Sequence, residues 1–335
     1  MISERRSTRH RKAPVRKAER VKGLYFDGEK AVYREDLPKP VCGKGESLIR
    51  ILMAAVCNTD REVLKGYRPD FRGVMGHEFV GVVEESEDET LIGKRVVGEL
   101  NAGCGHCLYC RTGREKHCPD RKVIGMEGKD GCFAEYMTLQ THLIHRVPED
   151  LPTEKAVFTE PLAAAFEITS QVHISPDTKV AVLGDGRLSL MITQVLNLTG
   201  TDLTVIGKHP EKLEKFRLFA KTATEQTVTE TDETFEIIVD ATGAEAGLQL
   251  AKRLIRRQGT IILKSTYAGT ANVDMSYFVV NEITIKGSRC GPFEPALRML
   301  AQNRIVLPEI ELFDLKEYEK AFAYRGFKAG FRLYR

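Results

Sequence analysis

Four of the eight cysteines lie within fifteen residues, at Cys104, Cys107, Cys110 and Cys118. Two-residue gaps turn successive thiolates toward one centre and the longer return supplies a fourth, the pattern of a tetrahedral Zn–S4 site. An iron–sulfur cluster or a pair of disulfides uses similar ligands, and spacing alone leaves both open. A zinc held by four Cys has no open position, so its role would be to fasten a lobe. Three other segments carry ligand chemistry: Val56-Cys57-Asn58-Thr59-Asp60, Gly76-His77-Glu78 and Thr159-Glu160-Pro161. A lone Cys or His is more often packed than ligating. Together, Cys57, His77 and the carboxylates of Glu78 and Glu160 would make a catalytic zinc site with a position left for water or substrate.

A second chemistry is written at Gly184-Asp185-Gly186-Arg187-Leu188-Ser189, between the apolar run Lys179–Leu183 and a helical pattern. In a dinucleotide fold the first Gly makes the turn and the second admits the pyrophosphate to the backbone. The third lets the helix pack against the strand. Ser189 stands at that third position. Gly184, Gly186, Arg187 and Leu188 are the expected cofactor contacts, with Arg187 offsetting the charge of Asp185. The second strand of the unit runs out at Gly207-Lys208-His209. An acid there would hold the ribose 2′-OH of NAD. Gly207 has none, and Lys208 and His209 are cations suited to a 2′-phosphate, so NADP(H) is expected over NAD(H).

These groups need two kinds of scaffold. Residues 22–150 show short apolar stretches broken by Gly and Pro, which read as strands of an antiparallel, barrel-like unit. From about residue 151, strands alternate with helical patterns: Lys179–Leu183, Leu190–Leu198, Leu203–Ile206, Glu211–Ala220, Phe235–Asp240, Gly247–Arg257 and Thr260–Leu263. That alternation predicts a doubly wound parallel sheet, and Pro292–Asn303 reads as a further helix. At 335 residues, with 42% hydrophobic and 29% charged residues, the chain has room for two cores and the composition of an ordinary globular protein. No apolar run approaches the roughly 20 residues that span a bilayer. No secretory signal follows the basic start, and clustered cysteines suit a reducing compartment, so the cytoplasm is expected. Residues 1–20 carry eight Arg/Lys against Glu4 and Glu19. Such a block reads as a solvated tail, with weak binding to nucleic acid or anionic lipid as the functional alternative.

The motifs together resemble the zinc-dependent medium-chain dehydrogenases/reductases, the superfamily of alcohol, polyol, threonine and glucose dehydrogenases. Gly76-His77-Glu78 followed by Phe79-Val-Gly-Val-Val, the four-cysteine loop and Gly131-Cys-Phe-Ala-Glu-Tyr136 occur in the family's order and spacing. The resemblance implies a GroES-like catalytic domain (22–155, completed by 291–335) around a Rossmann domain (156–290), after a basic tail (1–21). It implies two zinc ions per chain, with Cys57 and His77 as catalytic ligands. Glu78 and Glu160 would bind that metal or sit behind it, and Asp60 would orient His77. Thr59 would receive the substrate proton while hydride passes to the nicotinamide. Where alcohol and sorbitol relatives carry a proton-relaying His, this chain has Glu62. The segment Cys57-Asn-Thr-Asp-Arg-Glu62 resembles glucose dehydrogenases instead, which tilts the expected substrate toward a sugar, polyol or other hydroxylated alcohol, or the matching carbonyl. A homodimer or homotetramer is expected, with no membrane partner. The alternative reading is a catalytically retired member acting as a binding or structural protein.

Overall fold

The computed structural model describes residues 19–228, 235–266 and 272–334; the basic segment 1–18 lies outside them. The first strand, Arg20–Phe26, begins inside the expected tail, because Val21 is needed in the core, where it is buried. This strand pairs with Ala31–Pro38 and with Gly73–Val74 in a small antiparallel sheet. The larger sheet of this half has seven strands, and its centre is Glu46–Ala55. Both edges of that strand are occupied. Glu78–Ser86 runs along one edge, while Tyr136–Gln140 and the C-terminal strand Lys328–Arg332 share the other. The strand Lys328–Arg332 thus returns to pair with Glu46–Ala55, far from it in sequence. These strands bury Ile49, Ile51, Val83 and Phe331 in one core, which Phe133 joins from the bend before Tyr136–Gln140.

The second half is a six-stranded parallel sheet in the order Lys221–Thr224, Asp202–Gly207, Lys179–Leu183, Phe235–Asp240, Ile255–Leu263, Thr284–Gly287. Its central strands are mostly apolar, with Val180–Leu183 and Ile237–Val239 buried, as burial on both faces demands. Chain order reverses on either side of Lys179–Leu183, which makes its carboxyl end the switch point where ligands bind in such sheets. The helix Arg187–Asn197 covers one face; Leu190, Met191, Val195 and Leu196 are buried in the core it shares with the helices Thr159–Gln171 and Phe293–Ala301.

Two expected elements differ in detail. The helical pattern 247–257 ends at Leu254, and Ile255 starts a strand. The β-branched Ile255 is buried opposite Phe235 in the sheet, which outweighs one more helical turn. The pattern 211–220 is broken into one α-turn, Pro210–Leu213, and a 3-10 turn, Glu214–Phe216. Three-residue spacing places Leu213 and Phe216 on one face, and both are buried.

Candidate functional site

Strand register builds the first site. Ala55 pairs with Glu78 on one side and with Gly330 on the other. The chain leaving Ala55 thus reaches Cys57 beside His77 and Glu78, and Lys328 arrives two residues before Gly330. Cys57 caps the helix Asn58–Leu64. Its backbone N–H donates to Asp60 Oδ2 at 2.8 Å, while Asp60 Oδ1 lies 3.3 Å from His77 Nδ1. Asp60, fully buried, therefore ties the helix start to the imidazole and leaves Nε2 free toward Cys57. The ligand atoms of Cys57, His77 and Glu78 all lie within 4.8 Å of one another. Thr59 Oγ1 is 3.7 Å from Cys57 Sγ. Glu62, one helical turn beyond Thr59, pairs with Lys65 at 2.9 Å on the outer face.

Glu78 forms an ion pair with Lys328, and both side chains are buried. No sequence pattern pointed to Lys328, which lies at the other end of the chain; a lysine inside an apolar strand was the one available signal. Glu160 stands outside the compact group. Burial pushes its carboxyl up, the charge of Glu78 adds to that, and His77, Lys328 and Lys264 pull it down; the result is about 6.

The four clustered cysteines also converge, with all ligand atoms within 4.8 Å of one another. Cys107 Sγ and Cys110 Sγ are 3.5 Å apart. That is far longer than a disulfide, ~2.04 Å, and near the ~3.8 Å edge of a tetrahedron of Zn–S bonds of ~2.3 Å. All eight cysteines are free thiols, so the disulfide alternative is not realised. The donor chemistry fits one metal ion here and a second at Cys57, His77 and Glu78.

The glycine loop lies where the parallel sheet reverses order. Gly184 has φ +110°, a left-handed turn open to glycine. Gly184, Asp185, Gly186, Lys208, His209 and Glu225 line a cavity of about 220 Å³. A neighbouring cleft of about 340 Å³ lies between the two halves, lined by Asn58, Arg61, Arg187, Lys212, Lys215 and Arg325. Gly184, Gly186, Arg187, Gly207, Lys208 and His209 thus gather at one edge of the sheet, while Leu188 follows in the first helical turn without lining either space. Ser189 is buried with its hydroxyl oxygen directly over Gly184, 3.2 Å from where a Cβ would stand. Asp185 and Arg187 line the same cleft between the two halves. Asp185 crosses to the end of the second strand, where its carboxylate takes the N–H groups of Lys208 and His209.

Residues 43–149 match the alcohol dehydrogenase GroES-like domain. A sorbitol dehydrogenase from Halalkalibacterium halodurans is 26% identical, over 92% of this chain and 96% of the relative. An erythritol/L-threitol dehydrogenase from Mycolicibacterium smegmatis is 25% identical, over 90% and 93%. The chain belongs to the zinc-dependent medium-chain dehydrogenases/reductases. Solved structures share the whole fold. One described as a zinc-binding dehydrogenase from Sinorhizobium meliloti 1021 bound to NADP superposes with a TM-score of 0.84 at 21% identity, covering 94% of this chain and 99% of that one. Another, from Escherichia coli CFT073 and described as a short chain alcohol dehydrogenase complexed with NADH, gives 0.85 at 23% identity, covering 93% and 99%. The antiparallel half is accordingly the GroES-like catalytic domain and the parallel sheet the Rossmann domain. This medium-chain dehydrogenase is a hydride-transferring oxidoreductase that uses zinc and a nicotinamide cofactor. Among the described residues, no helix is long and apolar enough to cross a membrane.

Proposed function

We propose that the chain oxidises a hydroxyl of a polyol, sugar or related alcohol, or reduces the matching carbonyl, at a zinc held by Cys57 and His77. The observation that carries this reading is the compact S/N/O donor set, with His77 and Glu78 buried and Cys57 partly so. A retired protein would have no use for His77, Asp60 and Glu78 held in that geometry at the expense of burying two acids. Polyol relatives, and a D-arabitol-phosphate dehydrogenase from Enterococcus avium 28% identical over 86% of this chain and 88% of the relative, support the substrate class.

The chain's own residues do the following. Cys57 Sγ and His77 Nε2 would bind the ion, and Asp60 would fix the imidazole tautomer by accepting a hydrogen bond from its Nδ1–H. Glu78, tied to Lys328, stands as a third or exchangeable donor, with Glu160 behind it. A zinc bound here supplies Lewis acidity that lowers the pKa of the substrate hydroxyl. Thr59 Oγ1 would receive that proton while passing on its own, and Glu62, one turn further along the helix, would relay it toward solvent; a nicotinamide bound at the glycine loop would supply the hydride acceptor. Water exclusion and the alignment of carbinol carbon with nicotinamide in the cleft between the domains would supply the rest. A second zinc at Cys104, Cys107, Cys110 and Cys118 fastens its lobe without touching substrate.

The NADP(H) expectation rests on Gly207, Lys208 and His209. Asp185 and Glu225 weigh against it, since each stands beside one of the cations. A dimer or tetramer is supported by the outermost strand of the Rossmann sheet, Thr284–Gly287. Just before it Met275, Val279 and Val280 are exposed, and Ile285 is exposed within it. A cytoplasmic location remains the reading of the cysteine content.

Substituting Cys57→Ala tests the centre. Turnover with a panel of alcohols, aldoses and polyols is expected to fall by more than about 10³-fold, with bound zinc dropping by one ion per chain. Undiminished turnover would refute the mechanism.

A further inference from the structure

Parallel sheets that carry NAD usually present a carboxylate at the end of the second strand, where it holds the adenosine ribose hydroxyls. In this chain the position is Gly207, and the space its side chain would fill is already occupied. A Cβ built on Gly207 would lie 2.8 Å from both Cβ and Oδ2 of Asp185. An acid at 207 and an acid at 185 are sterically exclusive, so the carboxylate is still present but comes from the glycine-rich loop.

Its bonding is lopsided. Asp185 Oδ2 accepts the backbone N–H groups of Lys208 and His209, each at 2.8 Å, and lies 2.9 Å from His209 Nδ1. Among the described residues Oδ1 takes no hydrogen bond; its nearest cation is Lys212 Nζ at 3.9 Å. Asp185 lines the cavity between Gly184, Gly186 and Glu225, which is where the adenosine end of a dinucleotide lies when its pyrophosphate sits on the loop. Burial pushes its carboxyl up, but the N–H donors of His209 and Lys208 outweigh this, so the group is held below its usual range and is charged at neutral pH.

The cations tell the same story. Lys208 Nζ is 3.9 Å from Glu225 Oε1, while His209 and Lys212 both face Asp185. Each cation that would receive a 2′-phosphate already has a carboxylate beside it. A phosphate of nearly two negative charges brought to this cavity meets Asp185 and Glu225 directly.

We propose that Asp185 replaces the missing second-strand acid, accepting the adenosine ribose hydroxyls on Oδ1, and that the enzyme selects NAD(H) over NADP(H). This deepens the hydride-transfer reading and rests on it. It reverses the cofactor preference expected from residues 207–209 alone.

The test is a fluorescence titration of the zinc-loaded full chain with NADH and with NADPH. The wild type is expected to bind NADH at least about 10-fold more tightly, the worth of one hydrogen bond to a charged group. Asp185→Asn keeps an oxygen for the two backbone N–H groups, so the loop stays in place, yet it removes the charge. Its NADH/NADPH ratio is expected to fall to about unity or below. The double variant Asp185→Gly/Gly207→Asp returns the carboxylate to the usual strand and is expected to restore the preference, which a merely loop-holding Asp185 would not do. Equal or tighter NADPH binding by the wild type, an unchanged ratio in Asp185→Asn, or no restoration in the folded double variant would each overturn the role of Asp185. A wild type that binds neither dinucleotide would overturn the hydride-transfer reading itself.

Discussion

Lys328→Met isolates the least expected contact of the catalytic domain. Lys328 and Glu78 are 4% and 1% exposed, so neither charge has water to fall back on. Removing one partner of such a pair strands the other, which typically costs about 3–5 kcal/mol. The loss should fall toward the upper part of that range in zinc-free protein, because Glu160 adds a second buried carboxyl beside Glu78 and Lys328 is among the charges that hold it down. The side chain of Met fills the volume of the lysine stem, so little of the effect is a packing defect. Urea unfolding followed by far-ultraviolet circular dichroism and by tyrosine emission reads it, as the chain has ten Tyr and no Trp. The double variant Lys328→Met/Glu78→Gln should recover all but about 1 kcal/mol, a coupling of several kcal/mol between the two sites. Saturating zinc should shrink the single-variant penalty, since a cation at Cys57 and His77 also compensates Glu78. A zinc-free penalty under about 1 kcal/mol, or a double variant as unstable as the single, would refute the ion pair as a structural necessity.

Two further expectations concern the periphery. Cys104→Ser should remove one zinc per chain and lower the thermal midpoint, while the turnover of molecules still folded at low temperature stays within about threefold of wild type; metal analysis and a melting curve decide this. His145 lies between Glu99 at 2.9 Å and Glu294 at 3.2 Å and stacks on Phe293, tying its strand to the helix Phe293–Ala301. Burial lowers its pKa, but the two carboxylates outweigh that and raise it above 6.5. Its stabilisation is therefore complete below pH 6.5 and is lost as pH rises through the raised value. Because Glu294 is largely exposed, the term is only about 0.5–1 kcal/mol. His145→Gln should cost that much at pH 6 and nearly nothing at pH 9 in paired urea titrations.

The parts of the site that could be read in advance are those whose geometry is local. Cys104 to Cys118 converge because two-residue gaps and the short turns Leu108–Arg111 and Glu115–His117 bring the thiols to one centre, and the glycines of 184–186 announce a turn between strand and helix. His77 and Glu78 were visible as neighbours in one short motif. Glu160 was read, like Glu78, as an acid that binds the metal or sits behind it, and the helix Thr159–Gln171 holds it outside the compact donor group. Its distance is set by helix packing, which spacing does not encode. The broken helix at 210–216 shows the same limit, since a three-residue and a 3.6-residue apolar period are hard to tell apart over ten positions.

From the chain alone came the class of the fold, the two metal donor sets and the dinucleotide loop, because short-range spacing and apolar periodicity determine them. Tertiary structure decided which charges meet. Strand register brought Lys328 from the C-terminus onto Glu78. The parallel pairing of Leu183 with Ile206 set the glycine loop against the end of the second strand, so that Asp185 lies over Gly207. The acid missing from the second strand is thereby replaced by one from the glycine-rich loop. Electrostatics depends on distance through space, and chain order carries that distance only where the backbone is continuous.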